Sequence, residues 1–298
     1  MRVFVTGATG WIGSAAVDEL LAAGHDVTGL ARSDASVAAL EAKGATARRG
    51  DVDDLDALRA GAAAADAVLH LAYKHDWSDV AASMASERAA VQTLGDALAG
   101  TGHPFLFASG VAALNPGRPA TEADPSPYHG PDSPRGGAEN LALDLVDQGV
   151  RSVALRFSPT VHGARDHGFI ARIVAIAREK GVSGYPGDGA NHWAAVHRSD
   201  AARLVALALA EAPAGARVHA VGEEAVPVRA IAEAIGDALR LPVTSIAPDD
   251  VAAHFGWIGT FFGMEMSATS TATRELLGWT PTGPTLLEDI AAGAYAVA

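Results

Sequence analysis

The 298 residues contain no cysteine. Disulfides, thiol nucleophiles and cysteine-ligated zinc are therefore excluded. Positive charge is scarce as well: 22 Lys and Arg stand against 35 Asp and Glu, for a net charge of −13 and a pI near 5.2. Nucleic acids and anionic membranes are bound by basic surfaces, so neither is expected as a partner. Eleven histidines include no His-x-x-x-His pair beside carboxylates, and no metal site is expected. Long apolar runs are missing too. The most apolar stretch, "AGAAAADAVLHLAY", is short and broken by Asp66, unlike a membrane span. The first strand pattern begins at Arg2, leaving no room for a signal peptide, so a soluble cytoplasmic protein is expected.

What remains is a chain that is 49% hydrophobic and 19% charged, able to bury a sizeable core. Short β-rich runs ("RVFVT", "HDVTGLA", "ATARRG", "AVLHLAY", "PFLFAS", "SVALRF", "RVHAVG") alternate with segments of helical spacing such as "SAAVDELLAAG". Strand and helix repeated this way predict an α/β fold: a doubly wound parallel sheet of about seven strands with helices on both faces. After Gly222 the pattern loosens into helices and turns around the aromatic stretch "HFGWIGTFFGMEM", which reads as a smaller C-terminal lobe. The expected division is 1–165 plus 190–222 for the sheet domain, and 166–189 plus 223–298 for the lobe. Trp193, Trp257, Phe261, Phe262 and Met264 form either an apolar lid or the core of that lobe.

"TGATGWIG" follows the first strand and opens a helix, the context in which a glycine triplet binds a dinucleotide. Gly7 permits the tight turn, Gly10 lets the backbone approach a pyrophosphate, and Gly13 lets helix and strand pack closely. Thr6, Thr9, Trp11 and Ile12 complete the expected cradle, with the phosphates on the helix N-terminus. An acid after the second strand would bind the ribose of NAD, whereas an arginine accommodates the 2′-phosphate of NADP. Here the strand ends in Arg32 and Ser33. A guanidinium binds phosphate bidentately and a serine adds a hydrogen bond, so NADP(H) is the expected cofactor.

Thr-Gly-x-x-Gly-x-x-Gly resembles the extended short-chain dehydrogenase/reductase family, which includes NAD-dependent epimerases and dehydratases. Further stretches carry the resemblance. "RRGDVDD" is similar to the family's third-strand tip, which implies that Asp51 and Val52 meet the adenine. "VLHLAY" resembles the fourth-strand segment, with Leu71, Ala72 and Tyr73 along the cofactor. "LRFSPTVHG" looks like the family's Leu-Arg-x-x-x-Val-Tyr-Gly stretch, with His162 in the tyrosine place and Phe157 and Ser158 among the cofactor contacts. "AAVHRSDAARLVALAL" looks like its Val-His-Val-x-Asp-x-Ala run, through Val196, His197 and Asp200. Read from the residues alone, Asp51 and Asp200 are equally suited to cap helices, and His197 to a structural hydrogen bond.

The family's proton-transfer pair is absent. A phenol near pKa 10 is a poor base at neutral pH unless a neighbouring cation stabilises its anion, and the family supplies a lysine four residues after its tyrosine. This sequence has four tyrosines, at 73, 128, 185 and 295. Four residues beyond the first three stand Trp77, Asp132 and Gly189, and the 298 residues end before the fourth such position. In "PRGGAEN", which reads as the start of a helix, Arg135 and Glu139 occupy the pair's spacing, one turn apart on one face. They replace the pair or form an ordinary exposed helix pair. Glu139 is suited to accept from ribose hydroxyls, yet its charge would push a neighbouring phenol's pKa upward.

Ser109 matches the family's serine or threonine that hydrogen-bonds the substrate oxygen; a strand-end cap is the alternative. Tyr73, followed by Lys74, His75 and Asp76, ranks above Tyr128 as a substitute acid, although both equally suit a pocket wall. These residues imply an atypical NADP(H)-dependent oxidoreductase that reduces a small, largely apolar carbonyl, imine or activated alkene by hydride transfer, with a non-standard proton donor. A silent NADP-binding redox sensor is the second reading, and a nucleotide-sugar epimerase or dehydratase the third. The segments "SMASERAAVQTLGDALAG" and "AENLALDLVDQG" resemble the helices through which family members dimerise, which implies a possible homodimer.

Overall fold

The computed structural model describes residues 1–74, 76, 79–112, 114 and 117–295. In the first strand Val3 and Val5 belong to one hydrophobic core and Phe4 to another, and all three are buried. A strand buried on both faces reads as a continuous apolar run because helices cover its two sides. The same holds for the strands beside it. Strands β1 (Arg2–Thr6), β2 (Asp26–Ala31), β3 (Thr46–Arg49), β4 (Ala67–His70), β5 (Pro104–Gly110) and β6 (Arg151–Phe157) are followed by β7 (Thr160–His162), β8 (Ser183–Pro186), β9 (His192–His197), β10 (Arg217–Ala220), β11 (Glu223–Pro227) and β12 (Val243–Ile246). Seven of them form one sheet in the order β10-β6-β5-β4-β1-β2-β3, and every neighbouring pair is parallel. These are the seven runs expected from the sequence.

The helices are α1 (Trp11–Ala22), α2 (Asp34–Glu41), α3 (Leu55–Ala63), α4 (Val80–Leu98), α5 (Ala138–Asp144), α6 (Phe169–Lys180), α7 (Arg198–Glu211), α8 (Val228–Leu239), α9 (Val251–Phe255), α10 (Ile258–Phe262), α11 (Thr271–Leu277) and α12 (Leu286–Ala291). Val17 and Leu20 of α1 join Leu204 and Val205 of α7 on one face of the sheet. Leu58 of α3, Val91 and Leu94 of α4, and Ala142 of α5 cover the other, against Phe4, Phe105 and Phe107. Each fully buried Val, Leu or Phe side chain among these stabilises the fold by about 1.5–3 kcal/mol. No helix among the described residues is long and apolar enough to cross a membrane.

Past β6 a second arrangement begins. β9 pairs with β7 in parallel and with β11 antiparallel, and β8 pairs with β12. The stretch after Gly222, expected as helices and turns, therefore contains two strands, β11 and β12. Both leave much of their surface exposed, so neither shows the apolar run of a buried strand. A separate core, with Ile173, Trp193, Ile231, Phe255, Ile258, Phe262 and Ile290, fills this part. Trp193 and Phe262 are thus core residues; Phe261 and Met264 pack at its margin, and Trp257 is exposed.

Candidate functional site

The winding of the sheet sets the place of the site. From β1 the chain runs outward through β2 and β3, then returns to lay β4 on the other flank of β1. Open α/β sheets bind ligands in the crevice outside the strand carboxyl ends where the winding reverses. Thr6, Arg32, Asp51, Leu71, Ser109, Phe157 and Ser158 all lie at the carboxyl ends of β1 to β6. Residues scattered over the sequence are collected along one edge.

At the β1–α1 turn Gly7 has φ +68°, and a Cβ there would stand 2.7 Å from the Ala72 nitrogen and 2.8 Å from the Leu71 carbonyl carbon. The tip of β4 thus packs directly on the turn. A Cβ on Gly13 would stand 2.0 Å from the Gly7 carbonyl oxygen, whereas one on Gly10 would meet only that oxygen, at 3.1 Å. Helix α1 has no side-chain cap and no acid in its first turn, so its leading N–H groups and positive dipole end suit an anion. Trp11 turns away from this turn: its indole donates to the Val161 carbonyl (2.7 Å), and Arg198 lies over its ring at 4.3 Å. Ile12 packs against the sheet core. Thr6 serves structure, because its hydroxyl oxygen accepts from the Ala72 N–H and pairs with His70 Nδ1 at 2.7 Å. Burial pushes His70 down to about 3, helped by the Arg135 charge.

The Arg32 side chain is 76% exposed, and its Nε lies 3.7 Å from an Asp51 carboxylate oxygen. Ser33 caps α2, accepting from the Ser36 N–H. Asp51 does not cap the following helix; Asp54 does, accepting from the Ala57 N–H, while Asp51 accepts from the Asp53 N–H. Val52 is buried. Ser158 is buried with its hydroxyl donating to the Ala220 carbonyl (2.7 Å), and Phe157 packs into the sheet core.

The expected Arg135–Glu139 helix pair does not exist. Residues 135, 136 and 137 take left-handed backbone angles, with φ of 54°, 58° and 62°. Helix α5 starts only at Ala138. Gly136 and Gly137 adopt this conformation without cost, but Arg135 does not. Its guanidinium is held in compensation, donating to both oxygens of the buried Glu87 and to the Ala108 carbonyl. Glu139 faces elsewhere and is neither exposed nor paired with Arg135. Both its oxygens accept from Arg156, which is completely buried, with Nη2 to Oε1 at 2.6 Å. Arg217 Nε lies 4.0 Å from Oε1. Ser109 donates to Oε2 at 2.5 Å. The serine hydroxyl is therefore bound to Glu139 and is no strand-end cap.

Arg135 lies over the Tyr73 ring at 4.8 Å. Burial, followed by the Glu87 charge, nonetheless raises the phenol's pKa, which makes it a weaker acid and leaves little of its anion to act as a base at neutral pH. Lys74 is not the cation beside Tyr73: it is paired with Asp53, which also accepts from Ser86. His75 lies outside the described residues. Tyr128 is partly exposed. Asn140 of α5 donates to the carbonyls of Ser126 (3.1 Å) and Tyr128 (2.6 Å), fixing their loop beside Glu139.

His162 is fully buried, its Nδ1 2.6 Å from Asp289 and its ring edge-on to His197 at 5.5 Å. His197 caps α7 through Ser199. Asp200 does not cap that helix; it accepts from the backbone N–H groups of Thr282 (3.0 Å) and Gly283 (2.8 Å) and from Arg203. Sequence reasoning missed Arg156, Glu87, Asn140 and Asp289. For Arg156 the signal was available: it is the arginine of "LRFSPTVHG", a charge inside an apolar strand, which requires a buried partner. Among the described residues no group of three or more His, Asp or Glu side chains is placed to hold a metal ion.

The family model for the NAD dependent epimerase/dehydratase family matches residues 3–222. The chain is similar to an uncharacterized protein of Schizosaccharomyces pombe, 43% identical over 296 residues, spanning 99% of this chain and 100% of that one. A 4-hydroxy-2-methyl-3-oxo-4-farnesyl-3,4-dihydroquinoline-1-oxide ketoreductase of Stigmatella aurantiaca is 28% identical over 188 residues, or 60% of this chain and 56% of its own. Among solved structures, the dTDP-glucose 4,6-dehydratase DesIV of Streptomyces venezuelae, with NAD and TYD bound, superposes with a TM-score of 0.77 at 24% identity, covering 99% of this chain and 96% of that one. That likeness concerns the fold.

Proposed function

The chain belongs to the NAD dependent epimerase/dehydratase family, and from that premise we propose an NADP(H)-dependent oxidoreductase acting on a small, largely apolar carbonyl, imine or activated alkene. The observation that carries the cofactor reading is the pairing of an uncapped, acid-free α1 N-terminus with an exposed guanidinium on the next strand tip. Gly7, Gly10 and Gly13 fit the pyrophosphate, and Arg32 the third phosphate, with Asp51 and Val52 near the adenine and Leu71, Ala72 and Tyr73 along the remainder. When bound, the dinucleotide supplies hydride transfer. The chain's share is to position the substrate at Ser109, with the proton donor other than a Tyr-x-x-x-Lys pair. The likeness to a ketoreductase supports the carbonyl reading above the sugar-nucleotide one.

NADPH absorbance followed across ketones, imines and enones, and NADP+ reduction followed across the matching alcohols, test this. Turnover of one class is expected; tight NADPH binding with silence throughout would instead establish the redox sensor. A homodimer through α4 and α5 belongs to the same reading. The larger side chains of these helices, including Val91, Leu94 and Leu98, are committed to the chain's own core. The contact would therefore rest on exposed Ala81, Ala82 and Ala85 and partly exposed Leu141. Light scattering at the monomer mass would reject it.

A further inference from the structure

We propose that Ser109 offers the crevice a hydrogen-bond acceptor and not a donor, so that the ligand group seated on it carries its own hydrogen: an alcohol rather than a bare carbonyl. The inference rests on the oxidoreductase reading and narrows it to the alcohol–ketone pair, entered from the alcohol side.

A serine hydroxyl has one hydrogen and two lone pairs. The Ser109 hydrogen is directed at Glu139 Oε2, with the oxygens 2.5 Å apart, a length typical of charge-assisted bonds. Glu139 cannot give that hydrogen back by becoming a donor itself. Oε1 accepts from Arg156 Nε and Nη2, and Oε2 from Arg156 Nε, so the carboxyl oxygens act as acceptors. The groups facing it reinforce this. Arg156 comes from β6 and Arg217 from β10, and His219 of β10 lies 3.3 Å behind Arg156. Burial lowers the His219 pKa, with Glu122 opposing. Two guanidinium groups therefore surround one carboxylate that is only 5% exposed.

Rotating the Ser109 hydrogen toward the crevice would forfeit the bond to a buried anion, which is costly where water cannot replace it. What Ser109 keeps for a ligand is lone pairs. It has no further hydrogen-bond partner among the described residues, it is partly exposed, and it lies at the β5 carboxyl end beside the tip of β4. A carbonyl oxygen brought to it would meet lone pair against lone pair; a hydroxyl would donate.

The test uses two probes of like shape that are inert with oxidised coenzyme. 2-Phenyl-2-propanol carries no hydrogen to lose as hydride, and acetophenone cannot be reduced by NADP+. Both are titrated by ligand-observed NMR into the full chain saturated with NADP+. About tenfold tighter binding of the alcohol is expected, the scale of one hydrogen bond gained against one refused. Glu139→Gln places an amide donor on Ser109 and frees its hydrogen, so the preference should reverse. If that variant does not fold, Ser109→Ala should bring the two affinities within twofold of each other. Equal or tighter binding of acetophenone by the wild type overturns the proposal, as does failure of both probes to bind coenzyme-loaded protein. Failure of NADP+ itself to bind, seen in the same samples, removes the oxidoreductase reading and this inference with it.

Discussion

The Glu139–Arg156 contact allows a calculation of what its loss should do. Arg156 is completely buried and Glu139 is 5% exposed. Replacing Glu139 by leucine strands a guanidinium in the interior, and replacing Arg156 by methionine strands a carboxylate. Breaking one side of a buried pair costs about 3–5 kcal/mol. For a chain of this size about 2–4 °C of melting temperature accompanies each kcal/mol, so each single variant should melt on the order of 10 °C lower. Replacing both partners removes both uncompensated charges and is often nearly neutral. Arg217, left behind, still reaches water, its side chain being 27% exposed. The double variant should therefore recover most of the loss, with a coupling energy of at least about 2 kcal/mol. Urea unfolding of the four proteins, comparing midpoints at unchanged slope, measures it. Additive losses, or single variants costing under about 1 kcal/mol, would show that the two side chains do not depend on each other.

Four further outcomes are expected. Gly13→Ala forces a Cβ to within 2.0 Å of the Gly7 carbonyl oxygen; it should cost about 1–3 kcal/mol in thermal melting and weaken NADPH at least tenfold. Gly181→Ala, at a left-handed position with nothing within 4 Å, should cost about 1–2 kcal/mol through backbone strain alone and leave coenzyme affinity untouched. His70, held at about 3 against an ordinary 6.5, takes up its proton in the unfolded chain first; its contribution is complete above pH 6.5 and is lost as pH falls toward 3. Wild type should lose about 2 kcal/mol from this residue between pH 7 and pH 5, and denaturant midpoints should show a correspondingly flatter pH dependence for His70→Gln. Asp200→Asn removes charge and acceptor capacity from a buried group that holds the Thr282 and Gly283 backbone and Arg203; about 2–3 kcal/mol should be lost, with faster proteolytic clipping near residue 282 as the check.

The large sheet was legible because its strands are buried on both faces and so read as apolar runs, "AVLH" and "FLF" among them. β11 and β12 have no such face and escaped notice, as did the division of labour within β9, whose Val196 joins the sheet core while Trp193 belongs to the second core. The glycine turn could be read residue by residue, since steric demand at Gly7 and Gly13 is a local property. The region around "PRGGAEN" could not. Helical spacing placed Arg135 and Glu139 on one face, but Gly136 and Gly137 admit backbone angles that carry the two side chains apart. Their partners, Glu87 and Arg156, lie 48 and 17 residues away along the chain. A spacing rule reports neighbours within one element, whereas buried charges are matched across elements by the fold.

Calorimetric titration of the wild-type chain and Arg32→Ala with NADPH and NADH tests the coenzyme claim most directly. NADPH should bind the wild type at least tenfold tighter than NADH, with Arg32→Ala erasing the difference while leaving NADH unchanged. Equal affinities in the wild type would contradict the role given to Arg32, and absence of heat with both coenzymes would contradict the dinucleotide crevice itself.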